Sequence, residues 1–118
     1  MEIKGDGYHV IYDPKTITIA LQGVLRLRGV TEYDYIVQLM NEVAGQKPDR
    51  ITLDLRGLKF LNSSGINVLF RFVIKLREQA TSKLKVLGSS QVPWQQKSLQ
   101  NLQRLMADVQ LEWDSHEA

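Results

Sequence analysis

Apolar and polar residues alternate from Tyr8 to Tyr12, a stretch rich in strand-forming side chains, and Asp13-Pro14-Lys15 follows as a turn. Thr16 to Leu21 then reads as a second strand ending near Gly23, so the two predict an amino-terminal hairpin. Leu25 and Leu27, with Arg26 and Arg28 between and after them, leave the direction of the next stretch open. Thr31 is expected to cap a helix running to about Ala44. Its Tyr33, Ile36, Val37, Met40 and Val43 recur at steps of three and four, and Gly45 and Pro48 end it. Ile51 to Leu55 predicts a short strand, Arg56 to Leu61 a loop, and a second helix runs from about Ser63 to Ala80. Lys83 to Leu87 reads as a strand closed by Gly88-Ser89-Ser90, and Pro93 suits the first turn of a third helix. Leu99, Leu102, Leu105 and Met106 give that helix an apolar face, and Val109 to Trp113 is the last strand.

From Ile51 onward the order is strand, helix, strand, helix, strand, which calls for parallel strands joined by right-handed crossovers. With the hairpin in front, the fold class expected is α/β: a mixed β-sheet in a single domain over 1–118, with a core at about 8–113 and a frayed tail at 114–118. No linker, repeat or low-complexity stretch divides the chain.

Composition narrows the function. The 118 residues are 43% hydrophobic and 24% charged, as one domain with its own core requires. Cysteine is absent, which removes thiol catalysis, disulfides and zinc-thiolate sites. A formal charge of +2 from scattered basic residues argues against nucleic acid. The amino terminus lacks the apolar stretch of a signal peptide, and no run of about 18 apolar residues marks a membrane span. The expected location is cytoplasmic.

The strand-to-helix junction Asn62-Ser63-Ser64-Gly65 carries the most information. In open α/β sheets, binding groups gather at the carboxyl ends of strands, where helices begin. Exposed N–H groups and the positive end of the helix dipole favour an anion there, and a hydroxyl or amide side chain caps the helix. Capping alone accounts for Asn-Ser before a helix. Gly65 in the first turn is less expected, because glycine is a poor helix former; it permits a close approach or relieves crowding against the sheet. On the helix, Ser64, Asn67, Arg71, Lys75 and Glu78 share a narrow polar stripe, with Ile66, Leu69, Phe70, Val73, Ile74 and Leu76 on the broad opposite side. Val68 and Phe72 lie past what one sheet face covers. Either neighbouring helices bury them, or they flank an apolar docking surface beside the serines.

The run Ile51-Thr52-Leu53-Asp54-Leu55, then Leu58-Lys59-Phe60-Leu61-Asn62-Ser63-Ser64-Gly65-Ile66-Asn67-Val68-Leu69, resembles the sulphate-transporter and anti-sigma-factor antagonist (STAS) family. In that family an apolar strand, a short loop and Asp-Ser-Ser-Gly-Leu open a helix, and Ser98 to Trp113 is similar to the family's last helix and strand. The resemblance implies a phosphorylation switch. A partner serine kinase (the anti-sigma factor) modifies the serine after the aspartate, which matches Ser63, and a phosphatase reverses it. Asn62, Ser64, Gly65, Asn67, Val68, Arg71 and Phe72 are then the expected partner-binding residues. Asn62 departs from the family's aspartate, keeping a cap but removing a charge. Leu21 to Gly29 occupies the stretch where antagonists commonly have a glycine, an acidic residue and then the first helix, and here Arg26 and Arg28 intervene; they read as a solvated strand edge or as charge for an acidic partner or a phosphate.

Catalysis is not expected. Only His9 and His116 are available as bases, and Leu61 to Gly65 lacks the Gly-x-Ser-x-Gly spacing of a nucleophile elbow. Asp13, Asp49 and Asp54 form no evident pair, no Gly-rich phosphate loop occurs, and two distant histidines make no metal site. Trp94 and Trp113 read as packed at element ends. No cofactor is implied. Two other readings compete with the switch: a sensor of nucleotides or other anions at the helix start, and a constitutive scaffold subunit indifferent to the residue at position 63.

Overall fold

One mixed sheet of seven strands carries three helices in the computed structural model, which describes residues 1–114. His116 and the other tail residues 115–118 lie outside the described residues. In chain order the elements are β1 (Glu2–Gly5), β2 (Tyr8–Asp13), β3 (Thr18–Leu25), α1 (Gly29–Gly45), β4 (Arg50–Asp54), β5 (Leu58–Leu61), α2 (Ser63–Gln79), β6 (Lys83–Ser89), α3 (Pro93–Leu105) and β7 (Gln110–Asp114). The path across the sheet is β1-β2-β3-β4-β6-β7, with β5 paired to β3. β1, β2 and β3 are antiparallel; β3, β4, β6 and β7 are parallel.

That order explains where the helices lie. Strands β3, β4, β6 and β7 advance in one direction without reversal, and right-handed crossovers along such a path set every helix on the same face. The burial pattern agrees. Ile51, Leu53 and Leu55 are sealed, whereas Thr52 and Asp54 between them are half-buried; Leu84 and Val86 are sealed beside a half-buried Lys85. The core is therefore a single layer between sheet and helices, closed by Tyr33, Ile36, Met40, Leu69, Val73, Leu76, Leu99 and Leu102 from the helix side.

The expected hairpin, the three helices and the parallel order are present, with four differences. β1 is an extra edge strand whose four residues, Glu-Ile-Lys-Gly, contain one apolar position and so carry no readable alternation. The helix expected from Thr31 begins at Gly29 instead, because the Glu32 carboxylate reaches back to accept the Arg28 N–H (2.9 Å) and replaces a Thr31 cap. The second strand starts at Thr18, since Ile17 lies in the turn at φ 52°, and it runs on to Leu25 through a register shift between Gly23 and Val24. Gly23 has φ 90°, and a side chain there would strike the Gly7 carbonyl, to which Val24 N–H donates at 2.9 Å. Glycine is required at this bulge.

The fourth difference matters most. The stretch from Arg56 to Leu61, expected as a loop, contains β5. The first half of β3 pairs with β4 and the second half with β5, so these two strands lie end to end along one neighbour. The buried residues of β5, Leu58 and Leu61, are three apart and break the two-residue period that identifies a strand. The joint between β4 and β5 is fastened by α3. Gln95, fully buried, donates from Nε2 to the carbonyls of Leu55 (2.7 Å) and Leu58 (3.0 Å) and accepts the Ser89 N–H at Oε1 (2.8 Å). Trp94 Nε1 donates to the Leu58 carbonyl at 3.2 Å. One side chain thus bonds three backbone groups around the joint: it is the partner of the Ser89 N–H on β6 and adds a second donor to the Leu55 and Leu58 carbonyls, which also accept from the Leu58 N–H (3.0 Å) and Trp94 Nε1, respectively.

On the opposite side of this joint, Arg56 pairs with Asp54 through Nε (3.0 Å) and Nη2 (2.9 Å). Burial is the largest single influence on the Asp54 carboxyl and opposes its ionisation. The side-chain and backbone hydrogen bonds from Arg56, with its charge, outweigh it and hold the carboxyl below its usual value.

Two outcomes follow from this joint. Gln95→Met preserves volume but takes the acceptor from the Ser89 N–H and the second donor from the Leu55 and Leu58 carbonyls, and should lower stability by about 1–3 kcal/mol in urea unfolding, whereas exposed Gln96→Met should change it by less than about 0.5. The Asp54–Arg56 pair, half-exposed on the arginine side, should contribute less than about 1 kcal/mol. Because the folded value is depressed, that contribution is present above the unfolded carboxylate value of about 3.9 and is lost as pH falls through the lower folded one. The difference between the wild type and Asp54→Asn in urea midpoint should shrink accordingly below about pH 4.

Candidate functional site

At the carboxyl edge of the sheet, the ends of β3 and β5 deliver the chain into the starts of α1 and α2. Asn62 occupies the junction, in an extended conformation (φ −79°, ψ 176°), as the N-cap of α2. Its Oδ1 accepts the Gly65 N–H at 3.0 Å and the Tyr33 hydroxyl at 2.7 Å. Its Nδ2 donates to the Leu27 carbonyl at 2.7 Å, and its own N–H donates to the Leu25 carbonyl at 3.1 Å. One residue therefore ties together the end of β3, the approach to α1, α1 itself and the first turn of α2. Burial pushes the Tyr33 phenol above its usual value, which keeps it a proton donor in this network.

Gly65 is buried beneath the cap. A Cβ there would overlap the Leu61 side chain and come within 2.6 Å of the Tyr33 hydroxyl oxygen. Of the two reasons for a glycine in the first turn, relief of crowding is the one realised.

The serines face outward. Ser63, the first residue of α2, is exposed; Ser64 is half-buried. From Ser64 a groove of about 300 Å³ runs between α1 and α2. Asn67, Arg71 and Lys75 continue the wall that Ser64 begins, Val37, Met40 and Asn41 stand on the α1 side with Gly29 at the head, and Val68 and Phe72 contribute apolar surface. The polar stripe expected on α2 is thus the rim of this groove, apart from Glu78, which does not line it.

Two expected contact residues need correction on their position. Gly65 is sealed by Leu61 and Tyr33, and Phe72 is only 4% exposed because α1 packs over that side of α2. They form the foundation of the surface rather than its contacts. Asn62 and Val68 are half-buried; Ser63, Asn67 and Arg71 are exposed.

Two residues of this edge escaped the sequence reading as site residues. Tyr33 looked like one more member of the α1 apolar stripe, although a hydroxyl among aliphatic neighbours was a signal that it reaches a polar partner. Phe60, on β5, is 39% exposed with the Arg26 guanidinium 4.8 Å above its ring. Arg26 is thereby held as a cap on an exposed aromatic, an arrangement that contributes about 0.5–1 kcal/mol at such sites.

No group of three His, Asp or Glu side chains among the described residues is placed to hold a metal. His9 is engaged with Glu2 across β1 and β2 (Nε2 to Oε2, 2.9 Å). No helix among the described residues is long and apolar enough to cross a membrane.

A one-sided mixed sheet with a capped, serine-bearing helix entrance at its carboxyl edge places the chain among small mixed α/β domains. The family model for the STAS domain matches residues 15–93, and the chain belongs to that family. No curated protein matches it. Among solved structures, a chain of the complex of diguanylate cyclase SiaD with its activator SiaC from Pseudomonas aeruginosa is similar over 97% of this chain and 99% of that one, at 15% identity and a TM-score of 0.74. SiaC of Pseudomonas aeruginosa is similar over 98% and 96%, at 16% identity and a TM-score of 0.69. An anti-sigma-factor antagonist from Mycobacterium paratuberculosis is similar over 89% and 85%, at 20% identity and a TM-score of 0.65. At these identities the likeness is one of fold.

Gly65→Ala tests the crowding. Alanine favours the helix by about 1 kcal/mol over glycine, but the overpacking against Leu61 and Tyr33 costs about 2–3 kcal/mol. A net loss of about 1–2 kcal/mol in chemical denaturation is expected, with the Tyr33 ring displaced in its NMR signals.

Proposed function

We propose that this chain is a non-catalytic interaction module whose carboxyl edge docks a protein partner, and that phosphorylation of Ser63 releases that partner. The observation that carries the proposal is the placement of Ser63: an exposed hydroxyl at the first position of α2, beside a cap held in place by four hydrogen bonds. Membership of the STAS family supports an interaction role, as do neighbours of the same fold described as an anti-sigma-factor antagonist and as the activator in a complex with a diguanylate cyclase. The partner proposed is a serine kinase of the anti-sigma-factor type, with a phosphatase restoring the free hydroxyl.

The physics gives the modification opposite signs in the free and bound chain. A phosphate adds nearly two negative charges at pH 7. In the free chain those charges sit at the positive end of the α2 dipole in water, where they are favourable by about 0.3–1 kcal/mol. In a docked complex they must shed solvent, and unless a cation on the partner meets them the cost is several kcal/mol. The modified domain therefore stays folded while its complex fails. Ser64, Asn67, Val68 and Arg71 supply the contact surface beside the switch, resting on Gly65 and Phe72.

Intact-mass measurement of the protein from its native cells should show a phosphate that Ser63→Ala abolishes. Affinity capture with the wild-type chain should retain a kinase-like protein, and Ser63→Asp should weaken that capture by at least about tenfold, about 1.4 kcal/mol. Capture unaffected by Ser63→Asp, with no phosphate found in any growth condition, would leave a constitutive scaffold.

A further inference from the structure

The α1–α2 groove has a composition that partner docking at Ser63 does not require. Its floor and sides are apolar, through Val37, Met40, Val68 and Phe72, and two cations, Arg71 and Lys75, stand along its rim. No Asp or Glu lines it. Neither Arg71 nor Lys75 is engaged by a carboxylate among the described residues. Cations beside an apolar trough with no acid to balance them fit a ligand that is apolar along its body and anionic at one end.

We propose that this groove binds a small amphipathic carboxylate, its chain against the half-buried Val37 and Val68 over a floor of nearly sealed Met40 and Phe72, and its head group on Arg71 and Lys75. The volume of about 300 Å³ lies at the lower end of the range for small-molecule sites, which favours a ligand of this size over a folded partner. Along α2, the wall from Ser64 to Lys75 extends about 16 Å, at 1.5 Å per residue. With the cations at the far end, the chain points back toward Ser64 and the helix entrance. Arg71 and Lys75 are one turn apart, so a guanidinium and an ammonium converge on one head group, and arginine's planar fork matches a carboxylate in two parallel hydrogen bonds. The site shares Val68 and Arg71 with the proposed partner surface, but ligand binding is read on the chain alone, so its failure and that of the partner reading are distinguishable.

The test is a ¹H–¹⁵N NMR titration of the full chain with decanoate, kept below its micellar concentration, with acetate and decyltrimethylammonium as controls. Decanoate should shift the amides of Gly29, Asn41 and Asn67 saturably, while neither control does. The double variant Arg71→Gln/Lys75→Gln should bind decanoate about tenfold more weakly while keeping a folded spectrum, and Lys97→Gln on α3 should bind as the wild type does. The proposal is overturned if the ammonium amphiphile shifts the same amides equally, which means apolar adsorption, or if acetate reproduces the effect, which means unspecific anion binding. It fails equally if the double variant binds decanoate undiminished. Broadening of the same amides with protein concentration alone would show a second copy of the chain filling the groove, and would overturn it too.

Discussion

The geometry of the carboxyl edge depends on the side-chain amide of Asn62. Its oxygen accepts from Tyr33 on α1 and from the first turn of α2, and its nitrogen donates to the Leu27 carbonyl in the segment leaving β3. An amide is the smallest side chain that presents acceptor and donor side by side, and here both are used. The bonds cross sequence separations of 29 and 35 residues, so they fix the two helix starts relative to each other as well as each to the sheet. The exposed Ser63 and the head of the groove inherit their positions from this knot. A second polar residue, Gln95, performs the same service one strand away, locking the β4–β5 joint that feeds the chain into Asn62. Both side chains occupy places where the backbone turns inside the protein and must find partners away from water.

A sheet with helices on one face only has a consequence for function. In a doubly wound sheet, binding crevices open where the strand order reverses. Here the parallel strands among the described residues advance without reversal, so the strand order opens no such crevice. The concavity that reaches the serines is instead the seam between α1 and α2, which start at the same edge and run side by side. Its width is set by what α2 turns inward. Leu69, Phe72, Val73 and Leu76 go to the core, while Ser64, Asn67, Arg71 and Lys75 remain on the rim, so surface for recognition and packing for stability come from adjacent stripes of one helix.

Local pattern made most of the fold legible. The helices with strong three-and-four periodicity and the parallel alternation from Ile51 onward needed only neighbouring residues to be recognised, and Pro93 marked the start of α3 as it should. What pattern could not show was anything decided by distant contacts. β5 exists because the second half of β3 offers an unpaired edge at Gly23 to Leu25, and nothing in Leu58 to Leu61 announces that. The Glu32 carboxylate displaced the expected Thr31 cap because it reached the Arg28 N–H from one turn away. At the site, Asn62 was readable as a cap and Gly65 as relief of crowding, but Tyr33, which touches both, lay 29 residues before Asn62 in what read as an ordinary apolar stripe. Phe72 illustrates the same limit from the other side. Its angular position allowed either burial or display, and only the packing of α1 decided for burial.

The asparagine in place of the family's aspartate can be weighed on this geometry. An aspartate at 62 would place a full negative charge at the positive end of α2, a gain of about 0.3–1 kcal/mol. It would also remove the donor that satisfies the Leu27 carbonyl and set a carboxylate oxygen against that carbonyl at hydrogen-bond distance, a loss of about 1–3 kcal/mol. In this chain the amide wins, because the segment between β3 and α1 brings a carbonyl, rather than an N–H, to the second atom of the side chain. The same substitution changes the setting of Ser63. A phosphate there meets no neighbouring carboxylate from residue 62, so the helix dipole acts on it without opposition from the cap. The feature that departs from the family pattern is thus what this particular edge requires for folding, and it lowers, rather than raises, the barrier to placing an anion on the adjacent hydroxyl.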